Sequence, residues 1–237
     1  MQPASRPPCV DRLIPRPRIL FASVVALWLG ASPAGASSVR GTVHVPEAPK
    51  DGPVFEPYPG RANSLAGHPR PPRGAVGDAV VYLESLPAGA DSALPLPARP
   101  KLAQQDQAFL PRVIAIPVGG SVDFPNLDPI YHNVFSVSPA RRFDLGKYPR
   151  GESRRLQFAK AGVVNVYCEI HSDMAAFIFV LPNRAFARPR PDGSWELPDV
   201  PPGHYTLCWW HPDFAGGKRE IEITHGEDTV VDLGFRP

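Results

Sequence analysis

Proline and glycine punctuate this chain too often for any long helix to form. There are 32 prolines and 20 glycines in 237 residues. Each proline fixes φ and removes an amide donor, and each glycine adds backbone freedom that a helix must take away. Between these breaks the apolar residues alternate with polar ones, the period of a half-buried strand. The expected fold class is therefore all-β, with short strands joined by many turns.

Strand patterns fall at residues 39–45, 78–84, 109–116, 121–124, 133–137, 152–158, 163–168 and 175–181. Gly119-Gly120, between two β-rich runs, predicts a hairpin there. Residues 46–77 are rich in Pro, Gly and Arg, have no apolar period and predict a long surface loop, while residues 87–100 offer little to a core. Residues 141–151 are polar enough to predict another loop. After Asn183 the rhythm changes to four short alternating strands separated by Gly, Pro and Asp turns, a small β-sandwich module too short to stand well alone.

The N-terminus has the form of an export signal. Arg6, Arg12, Arg16 and Arg18 precede an apolar run from Ile19 to Leu29, and Ala34-Gly35-Ala36 supplies the small residues of a cleavage site. That run is too short to span a bilayer. Cleavage after Ala36 predicts three parts: a signal peptide (1–36), a first domain with Pro-rich insertions (37–183) and the small β module (184–237). No other segment is long and apolar enough to cross a membrane, so the mature chain is expected to be soluble in the periplasm or outside the cell. A net charge of +2 gives no footprint for a nucleic-acid partner.

Chemistry concentrates in Cys168-Glu-Ile-His171-Ser-Asp-Met174, with His132 and Asn133 upstream. One thiolate, two imidazoles and one thioether are the soft donor set that suits a mononuclear copper ion, with a weak axial methionine beside a His2Cys plane. Core residues of a strand recur at every second position, whereas 168, 171 and 174 recur at every third, the spacing of a tight loop around a point. Removing the leader removes Cys9 and leaves Cys168 and Cys208; a disulfide between them would consume the thiolate, so the two readings exclude each other. His44, His68, His204, His211 and His225 have no ligand-like neighbour, and His211, in Trp209-Trp-His-Pro, suits a packed or hydrogen-bonded turn.

Residues 104–181 resemble the cupredoxins, the type 1 blue-copper proteins, and among them the plastocyanin and amicyanin branch with its methylamine-utilisation relatives. The likeness lies in Asn126-Leu-Asp128, His132 and the C-x-x-H-x-x-M run. It implies a Greek-key β-sandwich built with residues 39–86 as its early strands, and one type 1 copper held by His132, Cys168, His171 and Met174. It also implies single-electron transfer rather than catalysis, with His171 as the entry point. Asn133 is expected to tie the two ligand segments together by hydrogen bonds. Residues 184–237 are similar to carboxypeptidase regulatory-like domains through Asp192-Gly-Ser and Val200-Pro-Pro-Gly-His-Tyr. Multicopper oxidases place histidines on both sides of the thiolate and add His-x-His pairs; Cys168 is flanked by Tyr167 and Glu169, and no His-x-His occurs. The basic residues Arg141, Arg142, Lys147, Arg150, Arg154 and Arg155 read first as a solvated face, with docking to an acidic redox partner protein as the alternative. A copper carrier or a structural adaptor is the alternative function.

Overall fold

The computed structural model describes residues 37–47, 74–171 and 173–237. The export signal and most of the expected 46–77 loop lie outside the described residues. The chain enters with β1 (Ser37–His44) and β2 (Val80–Leu83). Then come β3 (Ala103–Gln105), β4 (Ala108–Leu110), β5 (Val113–Pro117), β6 (Ser121–Pro125) and β7 (His132–Ser138). These are followed by β8 (Arg141–Tyr148), β9 (Ser153–Gln157), β10 (Gly162–Tyr167) and β11 (Ala175–Leu181). The last stretch adds β12 (Phe186–Ala187), β13 (Ser194–Val200), β14 (Gly203–Trp210), β15 (Gly217–Ile223), β16 (Thr229–Val230) and β17 (Leu233–Gly234). The all-β expectation holds. Only one helical turn, Ala90–Ala93, and a 3-10 turn, Val76–Asp78, interrupt the strands among the described residues.

Strand alternation sorts the side chains into three apolar layers. A five-stranded sheet, β5-β11-β10-β7-β8, sends Ile114, Ile116, Val164, Val166, Ile178 and Val180 into one core. Facing them across that core are Phe109 of β4 and Val122 and Phe124 of β6, which pairs with β9. In the second sandwich, β13-β1-β16 with β17 packs over β12-β2-β14-β15 around Val39, Val81, Leu83, Trp195 and Leu207. Between the sandwiches lies a third layer, where Val113, Phe179 and Leu181 of the five-stranded sheet meet Val80 of β2. Trp210 closes this seam, its ring centroid 5.1 Å from that of Phe179 and 6.1 Å from that of Phe177. Burying each such large apolar side chain is worth about 1.5–3 kcal/mol.

Three expectations are corrected here. Residues 39–86 do not supply early strands to the first sandwich: β1 pairs with β13, β16 and β17, and β2 with β12 and β14. Alternation tells which face of a strand is buried but not against which sheet. Gly119-Gly120 is a turn but not a hairpin, since β5 pairs in parallel with β11 while β6 pairs with β9. The turn carries the chain from one sheet to the other. Residues 141–148 form a strand rather than a loop; β8 is the edge of its sheet, and an edge strand keeps charged side chains in water.

A polar clasp joins the sandwiches beside the apolar seam. Arg112, between β4 and β5, donates to both oxygens of Asp213 at 2.7 and 2.6 Å and to Asp78 at 2.9 Å. Its guanidinium carbon sits 5.4 Å from the Phe177 ring centre. Asp213 therefore ionises below the usual carboxylate range: burial opposes this, but the Arg112 hydrogen bonds and charge outweigh it.

Candidate metal centre

The antiparallel register that sets Tyr167 opposite Phe135 brings the start of β7 beside the end of β10. His132 opens β7 and Cys168 follows β10, so both reach the same end of the first sandwich. The loop after Cys168 folds back on itself: Met174 N donates to His171 O at 3.1 Å, and Cys168 N donates to Met174 O at 3.3 Å. These two bonds account for the three-residue spacing. His171 is half-buried, whereas His132 and Cys168 have no exposed surface and Met174 has 1%.

Three of the four expected side chains converge. His132 Nδ1 lies 3.1 Å from His171 Nδ1, and Cys168 Sγ lies 4.0 Å from the first and 3.8 Å from the second. A triangle with those sides has a centre about 2.1 Å from every corner, close to the bond lengths at which imidazole nitrogen and thiolate sulfur hold a first-row metal ion. The donor set therefore fits copper in size as well as softness. Met174 is buried in the same core as Cys168 and belongs to the same loop. Cys168 and Cys208 are both free thiols, Cys208 standing on β14 of the other sandwich.

The surroundings prepare these groups to bind a cation. Burial alone would push the Cys168 thiol up. The His132 contact and the backbone N–H groups of Asn133, His171 and Ile170 outweigh it and hold the thiol below its ordinary value. Burial would likewise depress His132, but its hydrogen bonds to Cys168 and Asp128 raise it. Asn133 donates through Nδ2 to Asp144 at 2.7 Å, and its Oδ1 faces the Glu169 N–H at 3.4 Å, so it touches both β8 and the ligand loop.

Asp128 has a role that sequence reasoning missed. Its Oδ2 accepts from His132 Nε2 at 2.7 Å, and the carboxylate also accepts the amides of Asp106 at 2.7 Å and Gln107 at 2.9 Å. Burial would raise its pKa, but those two amides and His132 hold it below the usual range. Asn126 shapes the loop that delivers it, accepting from Asp128 N and donating to Ile130 O and Tyr148 O. The sequence signal was Asn126-x-Asp128-Pro129, an Asx-turn pattern whose Asp lies four residues before a histidine.

The expected basic run is partly neutralised. Lys147 pairs with Glu169 at 3.5 Å, Arg154 with Glu152 at 2.8 Å and Arg155 with Asp123 at 2.6 Å. His211 is a hydrogen-bonded turn residue as expected: Nε2 lies 3.2 Å from Ala75 O, and Nδ1 accepts from Asp213 N at 3.1 Å.

No protein-family model matches the sequence, and neither does any curated protein. Among solved structures, part of the chain is similar to a copper-containing nitrite reductase from Thermus scotoductus SA-01, at 27% identity and a TM-score of 0.35. That overlap covers 40% of this chain and 27% of the reductase, so the chain spans about a quarter of that protein's length. A purple cupredoxin from Nitrosopumilus maritimus is 22% identical with a TM-score of 0.31, over 35% of this chain and 98% of that one. A Cu(I) form of an amicyanin variant is 19% identical with a TM-score of 0.33, over 44% of this chain and 98% of that one.

Proposed function

We propose that this chain is an exported type 1 copper protein that carries single electrons between redox partners. The observation that supports this best is the convergence of His132 Nδ1, His171 Nδ1 and Cys168 Sγ on one point. In this reading those three side chains would hold one mononuclear copper ion, and Met174 would offer its thioether as a fourth, weaker donor. The ion supplies a one-electron couple. The protein's part is rigidity: His132 comes from a strand, and the other three come from one loop closed by its own hydrogen bonds. Four protein donors leave little room for an organic substrate, which favours a carrier over an oxidase.

His171 is the donor nearest water and is the proposed point of electron entry. Leu127, Ile130, Tyr131 and Ile170, each within two residues of Asp128, His132 or His171, are exposed by 46%, 39%, 58% and 42%. A redox partner would settle on those apolar side chains, with Arg150, which lines the same cleft as Leu127 and Asp128, turning the choice towards an acidic surface. Arg141 and Arg142 stand at the far end of the β7–β8 pair, opposite Ser138 and Val137. No described helix is long and apolar enough to cross a membrane, and the leader at 1–36 would direct export.

Metal analysis of the purified protein with a visible spectrum tests the reading. One copper per chain and an intense sulfur-to-copper band in the oxidised form are expected. A colourless copper-loaded protein would refute the type 1 site, and a zinc-only protein would refute copper. Reduced protein that passes copper, but no electron, to other proteins would favour the carrier alternative.

A further inference from the structure

The turn between β3 and β4 is built in an unusual way. Asp106 and Gln107 have φ of +54° and +56°, and Gln105 pairs with Ala108 across them. Two consecutive left-handed residues make a type I′ hairpin, the turn that Asn-Gly or Asp-Gly ordinarily fills. A side chain at such a position costs on the order of 1–2 kcal/mol. The compensation comes from outside the hairpin, because both turn amides point at the Asp128 carboxylate. The hairpin is also tied to the Asp128 loop by Leu127 N donating to Gln104 O at 2.9 Å. A cleft of ≈ 460 Å³, lined by Gln105, Asp106, Asp128 and Arg150 among others, opens this face to solvent.

The same carboxylate holds His132. A neutral imidazole has one N–H and one lone pair, so an acceptor at Nε2 decides which nitrogen keeps the proton. With the proton on Nε2, the Nδ1 lone pair faces Cys168 and His171. Carboxylate charge behind an imidazole strengthens it as a donor, and amides that share the carboxylate withdraw part of that charge. We propose that Asp128 is a positioning residue that couples the β3–β4 surface turn to His132, fixing its tautomer and setting its strength as a metal donor. The inference rests on reading the His132, Cys168 and His171 group as the copper site.

A carboxylate that merely staples two loops makes a different prediction, and the turn itself can separate the two roles. Asp106→Asn with Gln107→Gly installs an Asn-Gly turn that is stable without help and still offers both amides. That double variant should keep the parent's reduction potential. Adding Asp128→Asn should then raise the potential, because a weaker imidazole donor favours the reduced ion. The expected shift is a tenfold change in relative affinity for the two oxidation states, about 59 mV for one electron. Nitrogen NMR of the metal-free protein should show His132 losing its fixed Nε2–H form. If Asp128→Asn does not fold even on that turn, Asp128→Ser also removes the charge and should give the same upward shift. A lower melting temperature with unchanged potential and tautomer would overturn the proposal and leave Asp128 as a staple. Failure of the parent to bind copper with colour would instead defeat the site reading, and the NMR measurement would still decide the tautomer claim.

Discussion

Two groups of metal-capable side chains exist among the described residues, and they behave in opposite ways. His132, Cys168 and His171 form one, Asp78, His211 and Asp213 the other; in each, the candidate donor atoms lie within 4.8 Å of one another. At the seam, Arg112 forks between the two carboxylates, and His211 spends both nitrogens on backbone groups. At the end of the first sandwich the groups that chiefly shift His132 and Cys168, among the described residues, include no arginine, and two nitrogens and a sulfur surround a point at bonding distance. Proximity of donors is therefore a weak sign of a metal. The stronger sign is a centre that the protein has not already filled with a cation of its own. The protonation of the two histidines differs accordingly. His211 is depressed, chiefly by burial, while His132 is raised by its Cys168 and Asp128 contacts despite burial.

The sharpest way to break this contrast is by substitution at sulfur. Cys168→Ser should abolish the visible band, whereas Cys208→Ser and His211→Gln should leave colour and one-copper stoichiometry intact. Loss of copper from the His211 variant would move the site to the seam. Next in size, Arg112→Met should lower stability by about 3–5 kcal/mol in denaturant unfolding, because it leaves Asp78 and Asp213 buried without their cation. Its copper content should not change. Met174→Leu should keep copper and colour but raise the reduction potential, since an apolar neighbour offers nothing to the oxidised ion. Voltammetry without a shift would make Met174 a core residue only.

The smallest effect is on pH. His211 is depressed in the folded chain, so its contribution to stability is whole above about 6.5 and is lost as pH falls through the folded value. Asp213, also depressed, adds a second loss that begins near about 3.9 and continues below it. In the metal-free protein the raised His132 works the other way: its share is present below about 6.5 and is lost as pH rises through the folded value. Urea unfolding of the metal-free protein across pH should show the first acid-side loss disappear in His211→Gln. A loss that persists would take His211 out of the account.

The donors were legible because their chemistry is written in residue type and their geometry in spacing. Cys168, His171 and Met174 recur every third residue, and no strand does that. Asp128 was not legible as a partner of His132, since an Asp four residues before a His in a loop has no fixed orientation until Asn126 folds that loop. The sandwich was legible from alternation, but the partners of β1 and β2 were not. Val39, Val81 and Leu83 announce a buried face, and nothing local says that the other half of their core begins more than a hundred residues later, at Trp195 and Leu207. β8 was hidden for the opposite reason. Only Phe143, Leu145 and Tyr148 turn towards the core along that edge, and the charges between them read as a loop.

β11 carries a consequence for how this molecule can come apart. Ala176, Ile178 and Val180 lie in one core, and Phe179 and Leu181 in the seam, so the strand that leaves the ligand loop is clamped from both sides. Local openings begin where contacts are few, and they spread along segments that can leave without disturbing two cores at once. The ligand loop has no such exit at its C-terminal end. A chain ended after Asn183 would not be a smaller version of the first sandwich. It would keep β1 and β2 without the strands they pair with, and it would expose the face of β11 that now meets Trp210. The C-terminal lobe is thus part of the cooperative unit that keeps the ligand loop shut, and the stiffness of the site extends well beyond the residues that surround it.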